Sequence, residues 1–301
     1  MRDVDWWYSP DPDSAWVITG NAQRQGGRTI FDIHEVYHRG LLNRWWPGGE
    51  PPQIIRRTVQ RIIAKICSRV DLVLGVNEAV LSPYAVSGSS TLVVRNCAPF
   101  EFSEEQRIEE AADGPVGVMH GKVSSGNGTS QVIRAAQLLE SEVSSHISIR
   151  MLRRPEAAES AFDRQVASMA AELPHDAVVL QASVSHAEMP RLMSQCTVGM
   201  IAYQRDLGIE SLPNRFFEYM ASGLAVLAPS YSTGIVAIIE SEQIGITADF
   251  EDPASIAASL TWLARHPTEV REMGNRAREA FLKRHNWDTE AAILIDCMNN
   301  M

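Results

Sequence analysis

Short apolar runs alternate with longer amphipathic segments along most of the chain. The runs that predict strands lie at residues 4–8, 29–32, 72–76 and 91–95, and then at 116–120, 147–152, 178–180, 198–202 and 224–228. Segments of helical length separate them, and this alternation is typical of parallel sheets with packed helices. We therefore expect an α/β protein with two doubly wound domains, residues 1–112 and residues 113–301.

Turn and capping residues mark the expected element ends. Gly26-Gly27 predicts the end of the first helix, Pro51-Pro52 the start of a later one, and Asn77 the N-cap of the helix after its strand. The polar, acidic stretch 101–114 predicts the interdomain linker. Because ligands of such sheets bind at the carboxyl ends of the strands, we expect the site in a cleft between the domains.

The most informative segment is residues 210–226, which carries Glu210 and Glu218 with seven residues between them. Pro213 suits the first turn of a helix and Gly223 a left-handed end, and the apolar run that follows predicts a buried parallel strand. A helix N-terminus attracts phosphate, and carboxylates bind sugar hydroxyls. The pattern indicates a nucleotide-sugar site. On spacing alone, an ordinary helix with two solvated glutamates fits equally well.

This segment resembles the donor-site signature of retaining glycosyltransferases with the GT-B fold. Within that fold it is similar to the Glu-x7-Glu, family-four-like group, typified by sucrose- and mannosyl-transferring enzymes. The flanking segments 182–190, 196–203 and 245–254 and the helix-rich ending also resemble that family. The likeness covers 113–296 well and the first hundred residues more loosely. It implies two Rossmann-like domains facing a cleft, a nucleoside diphosphate sugar as donor, and retention at the anomeric carbon. It also implies no cofactor and no metal.

The resemblance also assigns roles to single residues of the second domain. Glu218 would bind the ribose diol, Glu210 a hydroxyl of the donor sugar, and N–H groups around Leu212–Asn214 the diphosphate. The donor-binding residues that it implies are Gly121, Lys122, Asn127, Ser183, Tyr203, Leu212, Pro213, Asn214, Arg215 and Glu218.

The glycine-containing segment 118–128 follows a predicted strand, and it departs from the family pattern. The family commonly has an arginine where Lys122 stands and a lysine where Asn127 stands, so one cation is replaced and the other is lost. Arginine forms a bidentate fork with phosphate, whereas lysine acts as a point charge. A plain turn between strand and helix is the alternative for this loop. Arg215 could replace the lost cation, or it could be a solvated or carboxylate-paired arginine.

The first domain contributes one candidate for the reacting centre. Asp32-Ile-His34-Glu35 ends an apolar strand and resembles the family element whose histidine faces the donor sugar across the cleft. His34, Glu210 and Lys122 are therefore the catalytic candidates. A lone histidine is more often structural, and that alternative stays open for His34.

The first domain is shorter than the GT-B pattern. About seven strands are usual in the family, and here the sequence has room for about four, without the opening strand and its glycine loop. The domain is natively small, or a partner completes it, or the chain starts downstream of the natural start. We expect a second chain, most simply a copy of this one, to cover the exposed side. The contact zones would be Trp6-Trp7 and residues 45–49, since aromatic residues are enriched at interfaces.

Composition narrows the class further. The chain has 301 residues, 45% of them hydrophobic, and a net charge of −10, which argues against broad nucleic-acid or anionic-membrane binding. It has no run long enough to span a membrane, no signal-peptide pattern and four widely spaced cysteines, so we expect a reduced cytoplasmic protein. The helical segment 56–69 places Val59, Ile62, Ile63 and Ile66 on one face and basic residues on the rest. It packs on the sheet, or it associates peripherally with the inner membrane face.

These observations lead to one expected function and two alternatives. The expected function is metal-independent sugar transfer, with retention, from a nucleoside diphosphate sugar to a hydroxyl of a small-molecule, glycan or lipid-linked acceptor. A non-catalytic or partner-dependent subunit that keeps the nucleotide-sugar site is favoured by the short first domain and by Asn127. An epimerase or phosphorylase of the same fold is the third reading, and the Glu-x7-Glu segment fits it less well.

Overall fold

The computed structural model describes residues 4–39, 42, 46, 51–85, 89–103, 116–121, 123–153 and 160–301. The chain forms two compact units, one of Met1–Asn96 with Glu290–Met301 and one of Cys97–Thr289. This division differs from the expected domains 1–112 and 113–301, because the last helix returns to the first unit. Residues 104–114, most of the expected linker, lie outside the described residues.

The first unit contains a parallel sheet with strand order β1-β2-β3-β4. Its strands and α-helices are β1 (Trp6–Ser9), α1 (Pro12–Gln25), β2 (Arg28–Ile33), α2 (Gln53–Cys67), β3 (Leu72–Gly75), α3 (Glu78–Leu81) and β4 (Ser90–Val93). The register places Trp6 beside Arg28, Ile30 beside Leu72, and Leu72 beside Ser90. The four strands expected in this part of the sequence are all present.

The second unit contains a six-stranded parallel sheet with the order β10-β9-β8-β5-β6-β7. Its first half consists of β5 (Val116–Gly121), α4 (Thr129–Gln137), α5 (Ser141–Ser144), β6 (Ser148–Arg153), α6 (Ala161–Ala171), β7 (Val178–Ala182) and α7 (Met189–Met193). Its second half consists of β8 (Val198–Met200), α8 (Arg205–Gly208), α9 (Asn214–Ala221), β9 (Ala225–Pro229), α10 (Thr233–Glu242), β10 (Gly245–Ala248), α11 (Pro253–Arg265) and α12 (Pro267–Arg284). A last helix, α13 (Trp287–Asn300), begins at the end of this unit and continues into the first. The expected α/β architecture with two parallel sheets is confirmed.

The capping residues act as the sequence predicts. Helix α1 ends at Gln25, directly before Gly26 with its positive φ of 79°, and α2 begins directly after Pro52. The Asn77 side chain accepts a hydrogen bond of 2.9 Å from the Val80 N–H and so caps α3. These residues determine where the helices end or begin.

Both faces of the first sheet are covered by the same chain. On one face, Phe31 and Ile33 pack with Ile63 and Ile66 of α2. On the other face, the buried residues Ile30, Leu72 and Leu74 contact the end of the chain through Leu294, Cys297, Met298 and Met301. The expectation that a second chain covers an open face is therefore wrong for this face. The expected contact zone at residues 45–49 lies outside the described residues, except for Trp46.

An ion pair between a buried carboxylate and a partly exposed arginine fixes the returning segment of the chain. Glu290 is fully buried, and its carboxylate accepts hydrogen bonds from the Arg95 backbone N–H at 2.8 Å and from the Arg95 guanidinium at 2.9 Å. A buried carboxylate is stable only with such partners. The pair therefore joins α13 to the segment after β4, within the first unit.

Candidate functional site

The candidate site lies at the switch point of the second sheet. Strands β5 and β8 are neighbours at the centre, and the later strands run outward from them in opposite directions, β6 and β7 to one side and β9 and β10 to the other. Doubly wound sheets bind their ligands at such a point, at the carboxyl ends of the strands. The residues that follow β5 and β8, together with the start of α9, build the site described next.

Helix α9 positions the central carboxylate. Its first residue is Asn214, and Pro213 precedes it with an extended ψ of 148°. Its end has two hydrogen bonds of 3.0 Å, from the Gly223 N–H to the Met220 carbonyl and from the Leu224 N–H to the Tyr219 carbonyl. Gly223 has a φ of 69°, so this end is a Schellman motif and needs a glycine, as the sequence predicts. Glu218 consequently lies on the second turn of a helix fixed at both ends.

Glu218 is a buried carboxylate surrounded by polar groups. Its side chain is only 5% exposed. Oε1 is 3.2 Å from the His186 Nε2 and accepts a 3.2 Å hydrogen bond from the Asn214 amide, while Oε2 is 3.1 Å from the His120 Nε2. The His120 contact lacks the alignment of a hydrogen bond. Among the described residues, Glu218 Oε2, His120 Nε2 and Asn214 Oδ1 are buried without a hydrogen-bond partner.

These unsatisfied atoms have a direct chemical consequence. Buried polar atoms without partners are rare and costly, and a ligand or water that supplies hydrogen bonds relieves the cost. Glu218 Oε2 and Asn214 Oδ1 are acceptors on one helix, and His120 Nε2 is either a donor or an acceptor. A group with hydroxyl donors is the complement of such an arrangement.

Electrostatics keep the Glu218 carboxylate ionised. Burial raises the pKa of this carboxyl, but the neighbouring His120 and His186 rings lower the pKa more, so that the net shift is downward. The His120 ring also contacts Tyr219 edge to face at 5.5 Å, and the His186 ring lies 5.0 Å from Phe102. At neutral pH the site therefore contains a charged acceptor ready for hydroxyl groups.

Arg215 brings a cation to the same end of the sheet. Its guanidinium donates one hydrogen bond to the His120 carbonyl and one of 2.8 Å to the Tyr203 hydroxyl. Gly121 has a φ of 128°, and a side chain there would come within 2.8 Å of the guanidinium. The two bonds use two of the five N–H donors that a guanidinium has. The structure thus brings together Gly121, Tyr203 and Arg215 beside Glu218.

The loop after β5 approaches the segment after β8. The Gly126 carbonyl accepts a hydrogen bond of 2.9 Å from the Gln204 N–H, and the Asn127 N–H donates to the Ser124 carbonyl at 3.2 Å. Gly128 precedes α4 with a φ of 65°, and a Cβ there would lie 1.9 Å from the Ala202 carbonyl oxygen. Only glycine permits this approach, which places Asn127 and the N-terminus of α4 next to the β8 segment. Lys122 lies outside the described residues.

In the segment before α9, fewer backbone N–H groups can contact a phosphate than the sequence led us to expect. The Leu212 side chain is 5% exposed and belongs to the core, so only its backbone can face a ligand. Pro213 precedes the helix instead of starting it, and it has no N–H to donate. The expected set of N–H donors therefore reduces to Leu212, Asn214 and the residues after it. Glu210 is partly buried between α8 and α9.

The remaining two candidates, Ser183 and His34, have local contacts of their own. Ser183 follows β7, and its hydroxyl donates to the Val184 carbonyl at 3.3 Å. His34 belongs to the first unit and follows β2 directly, with its ring 53% exposed and its Nε2 3.6 Å from Asp32. Asp32 accepts a hydrogen bond of 2.6 Å from the Tyr8 hydroxyl. His34 is thus available to a ligand at the carboxyl end of its strand.

Sequence reasoning gave no role to His120 and His186, the two rings around Glu218. His120 comes just before Gly121 at the end of β5, and His186 begins a short 3-10 helix four residues after the end of β7. The sequence contained this signal, because both histidines lie at or just after the carboxyl ends of strands of the same sheet, where such sheets bind ligands. Among the residues that the structure describes, no group of three or more His, Cys, Asp or Glu side chains could hold a metal ion. Within the same residues, no helix is both long and apolar enough for a bilayer span.

Comparison with protein families gives one match. Residues 150–296, just under half of the chain, match the family described as "Glycosyl transferase-like". The matched region includes most of β6, all of β7 to β10 and the whole of α9. No curated protein matches the sequence.

Solved structures resemble nearly the whole chain. The sucrose-phosphate synthase of Thermosynechococcus elongatus has a TM-score of 0.76 at 17% identity, over 98% of this chain and 73% of its own. Anabaena Alr3699/HepE, in a complex with UDP, has a TM-score of 0.80 at 13% identity, over 99% of this chain and 79% of its own. A glycosyltransferase from Rickettsia africae has a TM-score of 0.76 at 13% identity, over 99% and 76%. At these identities the likeness shows the fold alone, and the expected GT-B fold class is confirmed.

Proposed function

We propose that the protein is a glycosyltransferase that moves a sugar from a nucleoside diphosphate sugar to an acceptor hydroxyl. The single observation that carries the proposal is Glu218, a buried and ionised carboxylate at the switch point of the sheet, with hydrogen-bonding atoms left unsatisfied beside it. Two hydroxyl groups of a ribose would satisfy Glu218 Oε2 and the neighbouring Asn214 Oδ1. The family match and the folds of enzymes that act on sugars support the same assignment.

The donor would be oriented by the first two turns of α9, the segment before it and the loop after β5. Glu218 would bind the ribose diol, and Glu210, on the segment before α9, would bind a hydroxyl of the donor sugar. Arg215 and Lys122 would neutralise the diphosphate, together with the N–H groups at the start of α9. A structure of Alr3699/HepE with UDP-glucose gives a precedent for such a donor in a protein of the same fold.

The reaction would depend on leaving-group stabilisation. Negative charge grows on the departing diphosphate in the transition state, so cations and helix N–H groups placed there lower the barrier. This mechanism needs no metal and no cofactor, and we propose both absences together with retention at the anomeric carbon. His34 would contact the reacting sugar, and the acceptor would be a small molecule, a glycan or a lipid-linked compound.

Donor hydrolysis tests the proposal. The purified protein is incubated with UDP-, GDP- and ADP-linked sugars in the absence of acceptor, and released nucleoside diphosphate is measured. We expect slow release from one of these donors by the wild type, and none by the Glu218→Ala variant. Release that persists unchanged in a folded Glu218→Ala variant would contradict the role of this carboxylate.

A second candidate is a subunit that binds a nucleotide sugar without turnover. Asn127 favours it, because the sequence lacks a cation at this position of the loop before α4. A protein that binds a nucleoside diphosphate through Glu218 and yet releases none from any donor would fit this second function. Turnover that appears on addition of another protein would fit a partner-dependent enzyme.

A further inference from the structure

We propose that the exposed face of α2 is a docking surface for an anionic lipid bilayer. The proposal concerns the first unit alone and does not depend on the proposed sugar transfer. Its starting point is a charge asymmetry, since the chain carries a net charge of −10 but residues 51–70 contain five cations and no acidic residue. A local excess of this kind creates a positive surface even on an acidic protein.

The cations are arranged on one side of the helix. Arg57, Arg61 and Lys65 on α2 and Arg69 just after it are all exposed. At 3.6 residues per turn they fall within an arc of about 120°, opposite the buried residues Ile63, Ile66 and Cys67. They cover the length of the helix, so several of them can reach the same flat surface at once.

Two exposed isoleucines lie in this arc or next to it, Ile54 within it and Ile62 about 20° beyond its edge. Ile54 is 72% exposed and Ile62 is 50% exposed, although the sequence pattern places Ile62 on the packed face. Ile62 lies about 100° from Ile63 around the helix, at the border between the buried face and the exposed face. Exposed isoleucines among arginines cost solvation free energy in water, and they gain it when they enter the boundary of a bilayer.

A tryptophan extends the surface onto α1. Trp16 is 46% exposed, and the Arg69 guanidinium lies 4.5 Å from the centre of its ring. Val17, beside it, is 59% exposed. Tryptophan beside arginine is typical of side chains at the level of lipid head groups. The combination of cations, isoleucines and an interfacial tryptophan matches an anionic bilayer, whereas a nucleic acid would need only the cations.

Vesicle co-sedimentation of the full chain tests the proposal. We expect the wild type to bind vesicles rich in phosphatidylglycerol, to bind phosphatidylcholine vesicles much more weakly, and to dissociate at high salt. Arg61→Glu with Lys65→Glu should weaken binding to the anionic vesicles by at least roughly tenfold, since each cation contributes about 1 kcal/mol. Ile54→Ser should weaken binding severalfold at unchanged charge.

The matched control reverses two exposed cations of the second unit, Arg134→Glu with Arg271→Glu, and gives the same net charge. It should bind anionic vesicles about as well as the wild type does. Equal loss in this control would mean that only net charge matters, and that would overturn the proposal. Two other results would also overturn the proposal. One is that the wild type does not bind anionic vesicles. The other is that it binds a single-stranded oligonucleotide as tightly as the vesicles, with an affinity that Ile54→Ser leaves unchanged. If the double reversal on α2 does not fold, Ile54→Ser and the salt dependence of the wild type decide.

Discussion

Replacing Glu218 with alanine perturbs the candidate site most directly. In the folded protein the carboxylate contacts the His120 and His186 rings and the Asn214 amide. Its removal leaves the buried His120 and Asn214 groups without this partner and should lower the free energy of unfolding by about 1–3 kcal/mol. Helix α9 should persist, because its neighbouring residues Phe216, Phe217 and Tyr219 are fully buried in the core.

The effect on nucleotide binding should be larger than a general loss of stability explains. A carboxylate that accepts from both hydroxyls of a ribose loses two charge-assisted bonds, which is roughly 2–4 kcal/mol, or on the order of a hundredfold in affinity. Calorimetric titration with UDP, GDP and ADP measures it. Glu242→Ala is the matched control, since Glu242 also contacts a histidine, His285, at 3.0 Å, but lies at the end of α10 just before β10.

The outcome separates binding from stability. We expect Glu218→Ala to lose affinity for the nucleotide that the wild type binds, and Glu242→Ala to keep it. Unchanged affinity in a folded Glu218→Ala variant, or equal losses in both variants, would contradict the proposed contact between Glu218 and the ribose. Circular dichroism and urea unfolding show whether each variant is folded.

The other expected outcomes concern pH, backbone, phosphate and the first unit. The pKa of Glu218 lies below the usual 4.5, so its ionised form stabilises the fold above that pH, and this stabilisation is lost as the pH falls through the lowered pKa. The difference in free energy of unfolding between the wild type and Glu218→Gln, measured in urea, should therefore shrink in acid. A difference that stays constant with pH would contradict this. Gly128→Ala should lower the free energy of unfolding by more than about 2 kcal/mol, since its positive φ and its approach to a carbonyl oxygen exclude a Cβ; equal stability would contradict the loop geometry. Arg215→Lys should weaken UDP binding more than uridine binding, whereas equal effects would mean that Arg215 is structural. Glu290→Ala should destabilise the first unit by about 2–3 kcal/mol, because it removes a fully buried partner of Arg95; a near-neutral effect in urea unfolding would argue against the ion pair.

The sequence predicted the elements that depend on local signals. Strand positions followed from apolar runs. The N-cap at Asn77 followed from the preference of helix starts for a side chain that accepts a hydrogen bond, and the helix end at Gly223 followed from the preference of left-handed backbone for glycine. The family signature then placed Glu218 on a helix at the carboxyl ends of the strands of the second sheet. Each of these features is encoded within a few neighbouring residues.

What the sequence did not predict depends on distant residues. The pattern of α13 indicates a helix, but it does not say which sheet the helix covers, and the apolar residues near the chain end pack on the first unit. The contacts of His120 and His186 with Glu218 join residues that are 98 and 32 positions away from it in the sequence. Their convergence depends on the strand order, which parallel strands of similar composition do not specify.

Native mass spectrometry of the purified chain with nucleoside diphosphates shows whether a nucleotide site is built around Glu218. We expect a one-to-one complex of the wild type with at least one of UDP, GDP and ADP, and no such complex of the Glu218→Ala variant under the same conditions. A folded wild type that binds none of the three, or a variant that binds as the wild type does, would contradict this expectation.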